Sequence, residues 1–436
     1  RRLLGRTAGA LAAALAAASP YLVWYGQEVK MYSLISALAL LAIYSLRRAV
    51  DGGGKRWWVG QVIVTSLAFY THVWSALLVP VQVVLLLSWW PRWRRRWPEA
   101  LVSLALLTLP YLPLAFWQVP AALRVRETGF PHHSLGEMAL ILLNGWAIGI
   151  TGRGWPWGAA AAGGAALLGL VGAGLHACPP QRVGRPQRVA PTISVRRGGP
   201  PYPPTTEGRA TTEGRATTEG RPDDLRSSGR GSVPALLGWL AVPLLGIWFV
   251  SLRQPLFTDR YLIWAAPAFY LLAGAGLSFL WRRGHWPAIL FLAAILTIFG
   301  INLRAQAVTP IKSDLRRAAG YVEALHRPGD LLIFQIPHVR YTFDYYFGPS
   351  DYVWADGLYT NHRRADGSYL TTGEAAGLRM AQITWGYQTV WLVASEVGMW
   401  DTRNLVQAWL EANGERVAEA HFARVDVYRY RLGYQP

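Results

Sequence analysis

SPYLVWYGQEVKMY, residues Ser19 to Tyr32, sets Glu28 and Lys30 between two apolar segments, Ala8–Ala18 and Met31–Leu46. Charge beside hydrocarbon is costly, roughly 2.5–3.5 kcal/mol per residue at a helix centre on insertion scales. Two readings of the stretch follow. In one it is a working site at a membrane boundary. In the other it is an interfacial cap, with Trp24, Tyr25 and Tyr32 as belt aromatics and Lys30 snorkelling to the headgroups. On chemistry alone the two stand level.

The surrounding sequence settles the class. Leu101–Trp117, Ala235–Val250, Leu262–Leu280 and Pro287–Ile301 are apolar runs close to the ~20 residues that cross a bilayer. The chain is therefore expected to be a polytopic α-helical membrane protein. Its formal charge of +18 raises nucleic acid as a partner, but the positive residues gather at the ends of apolar runs: Arg47 and Arg48, Lys55 and Arg56, Arg92 to Arg96, Arg282 and Arg283. That is the positive-inside pattern; it argues against nucleic acid and puts those loops in the cytoplasm. The lone cysteine, Cys178, excludes an intrachain disulfide and a cysteine-cluster metal site. Neither an initiator Met nor a signal peptide precedes the first apolar helix, and the chain is expected to be truncated at its N-terminus.

With basic loops inside, Ala8–Ala18 runs outward, Ser19–Lys30 is an outer loop and Met31–Leu46 returns. Trp57–Tyr70 and Ser75–Trp90 follow, joined by the outer turn Thr71–Trp74. Fourteen helical residues cover only ~21 Å against ~30 Å of hydrocarbon, so these short helices imply a recessed outer face. Leu101–Trp117 is expected to break at Pro110 and Pro113, and Glu137–Ile150 to be re-entrant or interfacial; Trp157–His176 then runs inward. From Cys178 to Ser232 the chain is rich in Arg, Pro and Gly and repeats TTEGRA (Thr205–Ala210, Thr211–Ala216, then Thr217–Arg221), a composition that builds no core. Beyond Arg304 strand-like runs (Leu331–Ile336, Thr389–Ala394, His421–Leu432) alternate with helical ones (Ser313–His326, Glu374–Trp385, Thr402–Asn413), predicting a small C-terminal α/β soluble domain outside the cytoplasm. The expected domains are an N-terminal membrane part (1–176), a disordered insert (177–232), a second membrane part (233–303) and the α/β domain (304–436).

SPYLVWYGQEVKMYSL (Ser19–Leu34) resembles the P-x-x-V-W-Y-S-Q-E-A-R-x-Y-x-L segment of bacterial membrane glycosyltransferases of family 39. These are GT-C-fold relatives of protein O-mannosyltransferases and of the aminoarabinose transferases that modify lipid A. YTHVW (Tyr70–Trp74) is similar to the family's Y-T-H-Y/F turn, and FTDRYLIWAAPAF (Phe257–Phe269) to its R-Y-L-x-x-x-x-P segment. The resemblance implies a GT-C-like fold in the plasma membrane. It also implies transfer of a sugar from a polyprenyl-phosphate donor to a lipid, glycan or protein acceptor on the outer face.

The same resemblance assigns roles. Lys30, in the family's usual Arg position, and Arg260 are expected to bind the donor phosphate and stabilise the departing charge, with Tyr32, Tyr261 and His72 beside them. Structural hydrogen bonding is an equal reading of His72. Glu28 matches the family's second acidic position, as a catalytic-site carboxylate that recognises sugar hydroxyls, holds Lys30 or ligates a divalent cation with Gln27. Hard cations need several oxygens, so a metal ranks below the other roles and no cofactor is assigned. The family's general base is an Asp of an earlier outer loop; Glu127 and Asp259 are candidate substitutes but neither sits in a matching motif, and the chain as it begins is expected to be inactive. Arg124, Arg126, His132 and His133 form a weaker candidate loop for phosphate or acceptor. A lipid-linked-sugar flippase is the main rival and a degenerate, non-catalytic binder the third reading. Transporters place charge at mid-membrane in broken helices; here the apolar runs are nearly charge-free.

Surface loops tolerate changes in length. Replacing Cys178–Ser232 by a short linker should leave the yield of membrane-folded protein unchanged, and a large loss of that yield would make the insert structural.

Overall fold

The computed structural model describes residues 3–28, 30–123, 130–151, 232–348, 351–364 and 368–433. The expected helix over 157–176, the repeat segment, Arg124, Arg126 and Glu127 lie outside those residues.

Where the sequence predicts an outer loop, the chain instead turns a corner into a second helix. α1 (Arg6–Ala18) ends at Ser19, and α2 (Pro20–Gln27) leaves it at 55°. Ser19 and Pro20 dictate the corner. The Ser19 hydroxyl accepts the Leu22 amide at 3.3 Å as an N-cap, and proline at the first helical position gives up an amide that would have no partner. Of the expected loop, only the turn from Glu28 to Met31 remains, where the Lys30 amide donates to the Glu28 carbonyl at 2.7 Å.

α3 (Tyr32–Val50) and α4 (Lys55–Thr71) form an antiparallel hairpin, turned by Gly52 and Gly54 at φ +91°. A 3-10 turn, Val73–Leu77, leads into α5 (Leu78–Ser88). Between α4 and α5 the buried Gln61 donates to Gln82, which donates to Thr65 at 2.8 Å, tying two short helices together where water is scarce. α6 (Trp97–Leu106) and α7 (Thr108–Leu123) are interrupted only at Leu107 and belong to one apolar stretch, Trp90–Pro120; Pro110 falls in the first turn of α7, where an amide is dispensable, and Pro113 and Pro120 lie inside the helix without ending it. α8 (Leu135–Ile148) opens on a capping box between Ser134 and Glu137; at 14 residues it is short for a span.

α9 (Ser232–Ser251) precedes a 3-10 segment, Asp259–Ala265, that continues into α10 (Ala266–Arg283); α11 (His285–Val308) follows. Among the described residues five helices are long and apolar enough to cross a membrane, six if α1 and α2 count as one bent span. α10 is the axis of the bundle, buried along most of its length. Its small residues let backbones approach closely, as membrane helices require in the absence of a solvent-driven force between them. At Gly274 an added Cβ would lie 2.5 Å from the Ala8 carbonyl oxygen and 2.8 Å from the Ala12 amide.

The C-terminal region is a five-stranded sheet in the order β2-β1-β3-β5-β4. β1 (Leu331–Phe334), β2 (Val353–Asp356) and β3 (Thr389–Ser395) are parallel; β4 (Gly414–Phe422) and β5 (Val425–Leu432) are an antiparallel hairpin on β3. The single strand expected over His421–Leu432 is thus two strands, turned at Arg424 in the left-handed region (φ 56°) without the glycine or asparagine that would have marked it. Alternate residues of β1 and β3 pack on opposite faces, Leu332, Phe334 and Trp391 into one core and Leu331, Ile333 and Val390 into the other. Lys312 stands 5.3 Å over the Trp24 ring and joins this region to α2.

Gly274→Ala should force α1 off α10 and cost about 1–3 kcal/mol, read as a lower melting temperature in detergent. Gly300→Ala, where nothing lies within 4 Å, should be neutral or stabilising by up to about 1 kcal/mol. Equal melting temperatures for the two variants would contradict the packing described.

Candidate active site

The corner at Ser19 aims one face of α2 at the 3-10 segment that starts α10. Tyr21 and Tyr25, one turn apart, both reach Asp259: the Tyr21 hydroxyl donates to its carbonyl at 3.0 Å, and the Tyr25 hydroxyl to its carboxylate at 3.2 Å. The Thr258 hydroxyl donates to the same carboxylate at 3.3 Å. Gly145 of α8 makes room for this contact, since a Cβ there would touch Tyr21 at 3.2 Å. From Tyr21 a run of rings continues through Tyr25 (4.8 Å between centroids) and Tyr32 (5.3 Å) to His72 (6.3 Å) and Tyr261 (5.4 Å). Four separate stretches of chain meet here.

Glu28, Asp259 and Arg260 all lie within electrostatic reach of both Tyr25 and Tyr32. Glu28 Oε2 and Arg260 Nε are buried, and neither has a hydrogen-bond partner among the described residues. A buried acceptor and a buried donor left open in one site are costly unless something else satisfies them.

Of the residues expected from sequence, Glu28, Tyr32, His72, Arg260 and Tyr261 are brought together. Lys30 is exposed, and no ion pair with Glu28 forms. His133 packs on Phe257 at 5.8 Å, at the margin of the site. Among the described residues no three His, Cys, Asp or Glu side chains gather as a cation would require, and Gln27, the other oxygen considered for a metal, is exposed.

Sequence reasoning missed Tyr21, Tyr25 and the placement of Asp259. The available signal was the spacing of Tyr21 and Tyr25, four residues apart after an N-capping Ser-Pro, which puts both on one helical face.

The chemistry of His72 is fixed by its surroundings. The Trp74 amide donates to Nδ1 at 3.3 Å, so the neutral ring carries its proton on Nε2. Burial lowers its pKa from 6.5 to about 4, which keeps the ring uncharged at neutral pH. It is a hydrogen-bond donor rather than a cation.

Residues 1–117 match a family model described as dolichyl-phosphate-mannose-protein mannosyltransferase. The match takes in α2, the Glu28 turn and His72, and ends before Asp259. It supports a membrane glycosyltransferase, mannosyltransferase-like at a general level, with a lipid-linked sugar donor. No curated protein and no solved structure matches the chain.

The folded pKa of His72 lies below 6.5, so the unfolded chain takes up the proton first. The stability this residue contributes is complete above about pH 6.5 and is lost as pH falls through about 4. The gap in melting temperature between the protein and His72→Asn should therefore be constant above neutrality and narrow between pH 6.5 and about 4. A gap unchanged across that range would contradict a buried neutral ring.

Proposed function

We propose that the protein is a membrane glycosyltransferase that takes its sugar from a polyprenyl-phosphate donor and holds the donor's head between Glu28 and Arg260. One observation carries the reading: a buried carboxylate oxygen and a buried guanidinium nitrogen in the same aromatic-walled site have no hydrogen-bond partner among the described residues. A glycosyl phosphate offers the complement of both, hydroxyl donors on the sugar and acceptor oxygens on the phosphate.

In this reading Arg260 meets the phosphate and stabilises the negative charge that grows on it as the glycosidic bond breaks. The Nε2–H of His72 and the hydroxyls of Tyr32 and Tyr261 are further donors on the same side. Lys30, exposed on the turn after Glu28, is in this reading a second cation for the phosphate. Glu28 accepts from the sugar. Asp259 is a positioning residue: with its carboxylate engaged by Tyr25 and its carbonyl by Tyr21, it fixes where Arg260 emerges. The C-terminal sheet domain, reached from α11, lies outside the cytoplasm on the side of the acceptor.

Hydrogen bonds to a charged group are worth ~1.5–3 kcal/mol, so Arg260→Ala should weaken binding of a long-chain polyprenyl phosphate by about tenfold or more in nanodiscs. Glu28→Gln should leave phosphate binding nearly intact while lowering sugar transfer from the glycosylated carrier. Unchanged carrier affinity in Arg260→Ala would remove the phosphate assignment. Carrier-linked sugar crossing a vesicle bilayer without transfer would favour a flippase.

A further inference from the structure

The far end of the same helices carries a second polar layer that the proposed reaction does not use. α3 is 19 residues long, roughly 28 Å, so its C-terminal end lies about a membrane's thickness from Tyr32. There the α3–α4 turn meets the stretch between α5 and α6. Arg96 Nη1 donates to the Ala49 carbonyl at 3.4 Å, and its guanidinium packs where a side chain on Gly52 would stand. The layer holds Arg47, Arg48, Lys55, Arg56, Arg92 and the run Arg94 to Arg96, against the acids Asp51 and Glu99.

Tryptophans hold this charge in place. Arg47 lies 4.9 Å over the Trp89 ring; Arg48 and Arg56 lie 4.7 and 5.7 Å over Trp57. Arg47 is only 4% exposed and gives its Nε to Asp51 at 3.1 Å, but its Nη1 has no partner among the described residues. The same is true of Arg48 Nε, Trp57 Nε1 and Trp89 Nε1. All four orphans are donors, so what the layer lacks is an acceptor. Trp90 and Trp97, about half exposed, frame it with the residue type that settles at the level of lipid headgroups.

We infer that this end of the bundle binds the phosphate of an anionic phospholipid headgroup from the surrounding leaflet. Arg94 and Arg95, both exposed, draw the headgroup in, and Arg48 on its tryptophan is the inner donor. The inference does not depend on the function proposed above. A lipid is the occupant because the charge is ringed by exposed Trp90 and Trp97 and by the apolar flanks of α6, surfaces that face acyl chains rather than water.

Native mass spectrometry of the purified protein, titrated with phosphatidylglycerol, phosphatidylcholine or inorganic phosphate, tests it. Phosphatidylglycerol should be retained in clear preference to phosphatidylcholine, more weakly at high salt. The double variant Arg94→Gln/Arg95→Gln changes only exposed side chains and should bind about fivefold more weakly per charge removed, the equivalent of ~1 kcal/mol per basic residue near an anionic surface. Arg48→Gln should add to that loss. Arg282→Gln/Arg283→Gln should retain the lipid, because those residues end α10 and Arg283 lies 5.0 Å over Phe279 rather than on Trp57 or Trp89. Equal retention of both lipids, tight binding of inorganic phosphate without preference for the lipid, or the same loss from the Arg282/Arg283 variant as from Arg94/Arg95 would each overturn the inference.

Discussion

A chain of hydrogen bonds at the Ser19 corner holds the candidate site in register. The Ser19 hydroxyl meets that of Tyr270, which donates to the Trp146 carbonyl at 2.9 Å. All three residues are buried, and they belong to three separate parts of the bundle: the α1–α2 corner, the axial helix α10 and the capped helix α8. In a low-dielectric interior an unmet hydroxyl is expensive, so the polar chain is satisfied in one arrangement and penalised in others. That arrangement points α2 at Asp259. Without the corner, Tyr21 and Tyr25 would face lipid, and the segment carrying Arg260 would lose its anchor.

The two ends of the bundle have opposite characters. At one end the cationic Arg260 shares a site with Glu28 and Asp259, walled by tyrosines and a neutral histidine. At the other, basic residues far outnumber acids and lie on tryptophan. Among the described residues the first leaves a buried acceptor and a buried donor unpartnered, and the second leaves donors unpartnered. The helices between them carry amides and hydroxyls, such as Gln61, Thr65 and Gln82, but almost no charge, as expected of a scaffold that separates two polar faces rather than a path between them.

Much of this was legible in the sequence, for physical reasons that can be named. Apolar runs closed by Arg and Lys mark helices and their shared basic end, because both signals come from the cost of charge in hydrocarbon. Glu28, Tyr32, His72, Arg260 and Tyr261 stand out as polar or aromatic residues at the opposite helix ends, and three stretches remote in sequence converge as those motifs imply. Ser19–Lys30 reads as a loop because aromatics and glycine hide a helix whose start is signalled only by Ser-Pro. Lys30 lies exposed on the turn after Glu28. Asp259 reads from sequence only as a candidate base outside any matching motif; its contacts are not legible there because Tyr21 and Tyr25 lie more than 230 residues away. In the C-terminal sheet, the β4–β5 hairpin reads as one strand because an arginine takes the left-handed turn position.

Photocrosslinking with a polyprenyl phosphate that carries a diazirine beside its phosphate tests the central claim most directly. Adducts on the Tyr25–Tyr32, His72–Trp74 and Asp259–Tyr261 stretches are predicted, and competition by unlabelled carrier should abolish them. Adducts confined to the Arg47–Arg56 and Arg92–Arg96 end, or spread evenly along the lipid-facing helices, would contradict the account.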